Sequence, residues 1–265
     1  MPPTDQQQPS TVSLILIPFL IVAVWIIENY LFSGGDLVSL KTSVSGLLLY
    51  TFLSCILVGI IVPLIRIRAA FRAGAVNMFQ LGFRSLRRTV AAVGLTILAG
   101  YTIILLMRVY GIGPGRDAGF FLFVYLFPTT IAATMIVWGL LGTHIQAYVR
   151  NGGVLVSIVT GVIMTALLFA CSMTLLLASG RIAEAFPGYL AAGIVAALFF
   201  FAVRDIYATI IAVTCALVVI AGSVPDFSIP YSLAPAAILC SFLTFGVLLA
   251  AHGHFSRHYT TVKLP

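Results

Sequence analysis

The sequence predicts an all-α, polytopic transmembrane bundle of about eight helices, and three observations carry that prediction. Of the 265 residues, 61% are apolar and 8% charged, against about half and about a quarter in a soluble domain. The apolar residues fall in runs of about 20, long enough to cross a hydrocarbon core about 30 Å thick at about 1.5 Å per residue. Those runs are uniformly apolar rather than alternating. Because lipid demands that every backbone donor and acceptor be paired internally, they read as helices and not as barrel strands. Short polar gaps separate them, so one membrane domain, 12–251, lies between a polar tail, 1–11, and a basic tail, 252–265.

In chain order the spans are expected at 12–33, 44–65, 89–109, 119–147, 154–179, 187–203, 206–224 and 231–251. The first follows a Gln/Pro-rich segment without Lys or Arg and lacks a small-residue cleavage pattern, which reads as a retained helix rather than a signal peptide. Only Arg204 and Asp205 interrupt the apolar stretch from Tyr189 to Ala221. One helix of that length would need a strong tilt, so the charged pair is read as a tight turn. Pro128 is expected to kink the fourth span and free the carbonyl at i−4. Cys55, Cys171, Cys215 and Cys240 all lie in apolar segments without CxxC spacing, which reads as four buried, inert thiols and no disulfide or metal framework.

Cytoplasmic loops retain an excess of Lys and Arg. The second loop holds Arg66, Arg68, Arg72, Arg84, Arg87 and Arg88, and placing it inside fixes the rest by alternation. Arg150, Arg204, Arg257 and Lys263 then also fall inside, with Lys41, Arg108, Arg116 and Arg181 outside. Asp36, Asp117, Glu184 and Asp226 fall on the outer side. Both termini are therefore expected in the cytoplasm, with the chain in the cell membrane. The basic segment Phe71 to Arg88 can be read as an interfacial amphipathic helix; an anchor touching lipid phosphate accounts for the arginines, and no nucleic-acid motif accompanies them.

Ionisable groups inside spans are functional candidates, since burying one unpaired is expensive. Glu28 is expected near the outer end of the first helix, within reach of the headgroups, and His144 at the inner interface of the fourth. His252, His254 and His258 close the last span and are weak candidates for a metal site. Residues two apart on a regular helix do not share a face, and no acidic or Cys partner is near, so a basic tail without metal or other cofactor is the plainer reading.

From the second loop onward the segments, in order, resemble those of the CAAX protease and bacteriocin-processing (CPBP) intramembrane protease family. The likeness rests on residues 80–89 (QLGFRSLRRT), 126–141 (LFPTTIAATMIVWGLL) and 204–217 (RDIYATIIAVTCAL), and covers about residues 70–220. The family carries a Glu pair followed by Arg and Gly (EExxxRG), then FxxxH, then HxxxN. One Glu can activate a water, while His and Asn can steady a developing oxyanion. Matching the flanks puts the Glu pair at Ala133 and Thr134, the Arg at Trp138 and the Gly at Gly139. The second motif keeps Phe169 but has Met173 for His, and the third has Val213 and Leu217 for His and Asn.

The resemblance thus implies the family's fold without its chemistry. The chain has two glutamates, Glu28 and Glu184, which cannot form an adjacent pair, and Trp138, Met173, Val213 and Leu217 would fill the chamber with apolar volume. The expected function is a binding or scaffold protein lacking proteolytic activity, whose partners are membrane lipids and another membrane protein or a lipidated or transmembrane peptide. Two alternatives stay open. One is an endopeptidase of the CAAX type using non-standard residues, chiefly His144 and the terminal histidines; the other is a small-solute transporter.

Overall fold

The computed structural model describes residues 15–33, 43–72, 76, 80–109, 116–177, 182–223 and 230–259. Among them are eight helices: α1 (Ile17–Ser33), α2 (Val44–Arg72), α3 (Leu86–Val109), α4 (116–148), α5 (Val154–Leu177), α6 (Ile182–Val203), α7 (Ile206–Ser223) and α8 (Ala234–Tyr259). Six of these, α2 to α6 and α8, are long and apolar enough to cross a membrane, and shorter apolar helices lie at Ile17–Leu31 and Ile206–Gly222. The chain is a multi-pass helical membrane protein. The tails 1–11 and 260–265, and with them Asp36, Lys41, Arg181, Asp226 and Lys263, lie outside the described residues, as do the side chains of Arg116, Asp117, Arg150, Glu184 and His258.

Two helices outrun the expected spans. α2 continues to Arg72, so Arg66, Arg68 and Arg72 ride on its last turns, and α8 continues to Tyr259, carrying His252 and His254 on the helix rather than after it. A lysine or arginine stem can lie along apolar surface while its charge reaches water, so a positive cluster need not end a helix. The expected interfacial helix over Phe71 to Arg88 is a correction in the other direction: residues 80–85 form a turn and an irregular segment, and the helix resumes only at Leu86.

α4 is the axis of the bundle. Every residue from 128 to 146 is buried, as expected of a helix that is apolar all round and packed on all sides. The freed carbonyl expected from Pro128 is present and occupied: Val124 O accepts a 2.6 Å hydrogen bond from Ser241 Oγ of α8. Both α2 and α4 widen into π-helix, over Thr51–Ile61 and Thr134–Gly142. The two meet where Gly59 faces Ala132 so closely that a Cβ at 59 would overlap the alanine methyl. Without hydrophobic drive between spans, such small-residue contacts are what lets helices associate in lipid.

α3 is the opposite case. Its buried residues are Thr89, Thr96 and Gly100, and it leans on α7 where a Cβ at Gly100 would lie 2.6 Å from Cys215 Sγ. Leu98 and Val109 point away from the bundle, each more than 60% exposed, which suits a lipid-facing helix. The expectation of four buried cysteines holds for Cys55 and Cys240 only; Cys171 is on the outer surface and Cys215 is partly covered. Apolar sequence context marks a span but not which side of it faces lipid.

Gly59→Leu should therefore lower stability by about 1–3 kcal/mol through overpacking. Gly246→Ala, at a position open for 4 Å around the added carbon, should be neutral or stabilise by about 0.5–1 kcal/mol. Thermal and denaturant unfolding of the detergent-solubilised protein reads both.

Candidate functional site

The six positions where the family pattern would place polar residues lie on three helices: Ala133, Thr134 and Trp138 on α4, Met173 on α5, Val213 and Leu217 on α7. All are at most 1% exposed, and all but Thr134 belong to one continuous apolar cluster. Trp138 packs on Phe169, ring centroids 5.0 Å apart. Gly139 gives α7 its close approach, since a Cβ there would sit 3.2 Å from the end of Ile206. This region is filled with side chains, and what it offers chemically is packing.

Beside these positions lies a polar layer. Tyr50 OH donates to Asn29 Oδ1 at 2.6 Å and lies 3.3 Å from Thr129 Oγ1, while Asn29 Nδ2 donates to Trp25 O. Thr130 and Thr214 pair at 2.7 Å. The Asn29, Tyr50 and Thr129 contacts set α1, α2 and α4 in register. About one turn further along each helix are Trp25, Ser54 and Thr134, whose Nε1, Oγ and Oγ1 atoms are buried and make no hydrogen bond; the same holds for Trp138 Nε1 and Thr174 Oγ1. Glu28 lies near the end of α1, partly buried, with Ser54 beside it and its Oε2 buried without a hydrogen-bond partner.

Among the described residues the most organised polar group is at the α6–α7 turn. Arg204 closes α6 through its N–H to Phe200 O at 2.7 Å, with φ +52, a left-handed conformation that a side chain adopts at some cost. Its surroundings hold it there. Arg84 Nε donates to Arg204 O at 2.8 Å, and the Arg204 guanidinium lies 5.0 Å from the Phe201 ring centre. Burial, and then Arg84 close by, lower the pKa of that guanidinium from its ordinary value.

Asp205, fully buried, starts α7. Oδ1 accepts from the backbone N–H of Ala208 at 2.9 Å, and Oδ2 accepts from Thr89 Oγ1 at 2.7 Å. The first bond is an N-cap, and the second reaches the first turn of α3. One carboxylate thus stands at the positive ends of two helices. Next in the chain, Ile206 N–H donates to Gly82 O at 3.0 Å. Gly82 has φ +79, and a Cβ there would sit 2.9 Å from Ile206 N, so the approach requires glycine.

The histidines separate. His252 lies between two rings, Phe83 at 4.8 Å and Tyr207 at 5.5 Å, and its Nδ1 is 2.9 Å from Tyr207 OH. His254 is exposed and meets Phe255. Among the described residues no three His, Cys, Asp or Glu side chains gather as metal ligands. His144 corrects its expectation too: it is 1% exposed rather than interfacial, with Nδ1 2.7 Å from Leu140 O.

Two apolar grooves flank α3. One, about 660 Å³, runs between α3, α6 and α7; the other, about 440 Å³, between α3, α7 and α8, reaching Phe127 of α4. The second ends at Thr89, Tyr207 and His252. Sequence reading missed this assembly because its parts are far apart in the chain. The available signal was an Asp directly before an apolar run, the mark of a helix start.

Comparison with protein-family models, with curated proteins and with solved structures finds no match for this chain.

Asp205→Ala should destabilise the protein by about 2 kcal/mol or more, since it removes a cap and leaves Thr89 without its acceptor. Thr89→Val should cost about 1 kcal/mol, and the two losses should be less than additive in a double-mutant cycle. Unfolding in detergent measures all three variants.

Proposed function

We propose that this chain is a CAAX-protease-like membrane protein of the CPBP type without proteolytic activity, serving as a binding or scaffold protein of the cell membrane with both termini in the cytoplasm. The observation that supports the silent reading is the packing at the six family-equivalent positions, where Trp138 closes on Phe169 and every side chain is buried. A general base must reach a water and oxyanion donors must reach a scissile carbonyl. Apolar side chains do neither. With the interior filled, the surfaces left for a partner are the grooves beside α3, open to membrane lipids and to another membrane protein or a lipidated or transmembrane peptide. The orientation rests on the arginines from Arg66 to Arg88 and the positive-inside bias.

A second reading, small-solute transport, has one observation behind it: the buried, unbonded polar atoms of Glu28, Ser54 and Thr134, the last two within the π segments of α2 and α4, which recur at functional sites. Flux through reconstituted vesicles that Glu28→Gln abolishes would favour it, and vesicles that stay tight would remove it.

Under the leading reading the wild-type protein releases no product from a fluorogenic prenylated peptide. The variant Ala133→Glu, Thr134→Glu, Trp138→Arg, Met173→His, Val213→His, Leu217→Asn gains turnover. A folded but inactive variant counts against the family, and wild-type turnover counts against silence. A fluorescent protein fused to the C-terminus should glow and a secreted phosphatase fused there should be inactive; the reverse pair overturns the orientation.

A further inference from the structure

Two acidic side chains are among those described, Asp205 and Glu28. Asp205 has a hydrogen bond to each oxygen. Glu28 stands on α1 with Oε2 buried and unbonded, beside Ser54 of α2, whose Oγ is also buried and unbonded.

The length of α2 shows how deep this pair lies. Ser54 comes ten residues after Val44, where α2 begins, and twelve before Arg66, the first of its arginines. At about 1.5 Å per residue these are about 15 and 18 Å, which puts Ser54 near the middle of a hydrocarbon core about 30 Å thick. The backbone of Glu28 is five residues from the end of α1, and its side chain, tilted toward the helix N-terminus, runs down toward that level. Around it on α1, Val24, Ile27 and Leu31 are each more than half exposed. That apolar surface suits lipid, so what the protein leaves uncovered of Glu28 meets hydrocarbon.

No described cation stands at this level. The helices packed against α1 are α2, α4 and α5, and their basic side chains among the described residues are Arg66, Arg68 and Arg72 on α2 and His144 on α4. His144 is fifteen residues past Thr129, the α4 residue that meets Tyr50 beside Asn29. The titratable groups closer to Glu28 are Tyr30 on α1, Tyr50 and Cys55 on α2 and Tyr125 on α4, none of them basic. A carboxylate ion in this place would cost several kcal/mol, and such a group neutralises by taking up a proton. Once protonated the acid is a donor, and the Ser54 hydroxyl can accept.

We infer that Glu28 is a proton-binding site inside the membrane, its carboxylate taking H⁺ from water to become the neutral acid whose O–H donates to Ser54 Oγ. A metal cation is less suited, because hard cations gather about six or more oxygen ligands. Trp25, three residues before Glu28 and so on the same face, offers only a donor, Nε1. The inference goes beyond both readings above, since a proton can bind whether or not a partner or a solute does.

Infrared difference spectroscopy of the full chain in lipid vesicles, wild type against Glu28→Gln, tests it. At pH 7 a glutamate of ordinary pKa, about 4.3, is almost wholly ionised. The difference should instead contain the carbonyl stretch of one protonated carboxylic acid, and Ser54→Ala should shift that band by removing the acceptor. Treating the wild-type protein with dicyclohexylcarbodiimide, which attacks protonated carboxyls in apolar surroundings, should place an adduct on Glu28. Its yield should fall as the pH is raised and be equal in sodium and choline chloride. An ionised carboxylate at position 28 at pH 7 overturns the proposal, as does a peptide map without the adduct. Protection by sodium overturns it in favour of a metal cation. The peptide map needs the wild-type protein alone and decides the matter even if the variants do not fold.

Discussion

One carboxylate holds an end of this molecule together. A turn of two residues between two spans exposes helix ends whose donors and acceptors need partners, and here they find them inside the protein. Asp205 takes the N–H of Ala208 and the hydroxyl of Thr89, Ile206 donates to Gly82, and Arg84 covers the carbonyl of Arg204. The segment before α3 is thereby tied to the start of α7. Through Tyr207 and His252 the tie extends to the last turns of α8. Three elements distant in sequence share one anchorage, and the strained backbone at Arg204 persists because its neighbours determine it from several sides.

The rest of the bundle is organised by α4 and by how few polar groups its surroundings admit. Most threonines on buried faces return their hydroxyl to a carbonyl of the preceding turn, as at Thr143, Thr165, Thr209 and Thr244, the local solution open to a helix that cannot reach water. The atoms that escape this pattern, on Trp25, Ser54, Thr134, Trp138 and Thr174, lie on α1, α2, α4 and α5. An unpaired donor in such a place costs about 1–3 kcal/mol. The bundle tolerates several, which is possible because helix contacts as close as Gly59 to Ala132 and Gly193 to Ala166 supply dispersion energy along the whole length of the helices.

Much of this was legible in the sequence. Eight apolar runs gave eight helices, the charged pair at 204 and 205 was a turn, and Pro128 freed the carbonyl of Val124. What stayed hidden was direction around each helix. Glu28, His144 and Cys171 sit in spans at comparable distances from polar residues, yet one faces Ser54, one is enclosed and one is on the outer surface. Uniformly apolar spans carry little amphipathic signal by which to tell these apart. The arginine cluster misled for a related reason, because a loop and the last turns of a helix are equally able to present positive charge. Ala133, Trp138, Met173, Val213 and Leu217 are apolar residues within apolar runs, and their burial in the core needs no more than that, while the Asp205 assembly required three segments to be brought together in space.

The glycines show most directly what a sequence leaves undecided. Gly59, Gly82 and Gly100 each stand where a Cβ would collide with a neighbour, whereas Gly94, Gly246 and Gly253 face open space; in the sequence the two kinds look alike. The first kind locates the rigid contacts, between α2 and α4, at the α6–α7 turn and between α3 and α7. Gly94 lies between two of these fixed points, after the anchor at Thr89 and before the contact at Gly100. A helix pinned at both places and left without a neighbour between them keeps its groove open, because closing it would require α3 to bend away from α7 or to give up the hydrogen bond to Asp205. The carboxylate that satisfies the turn therefore also fixes the width of the groove beside it.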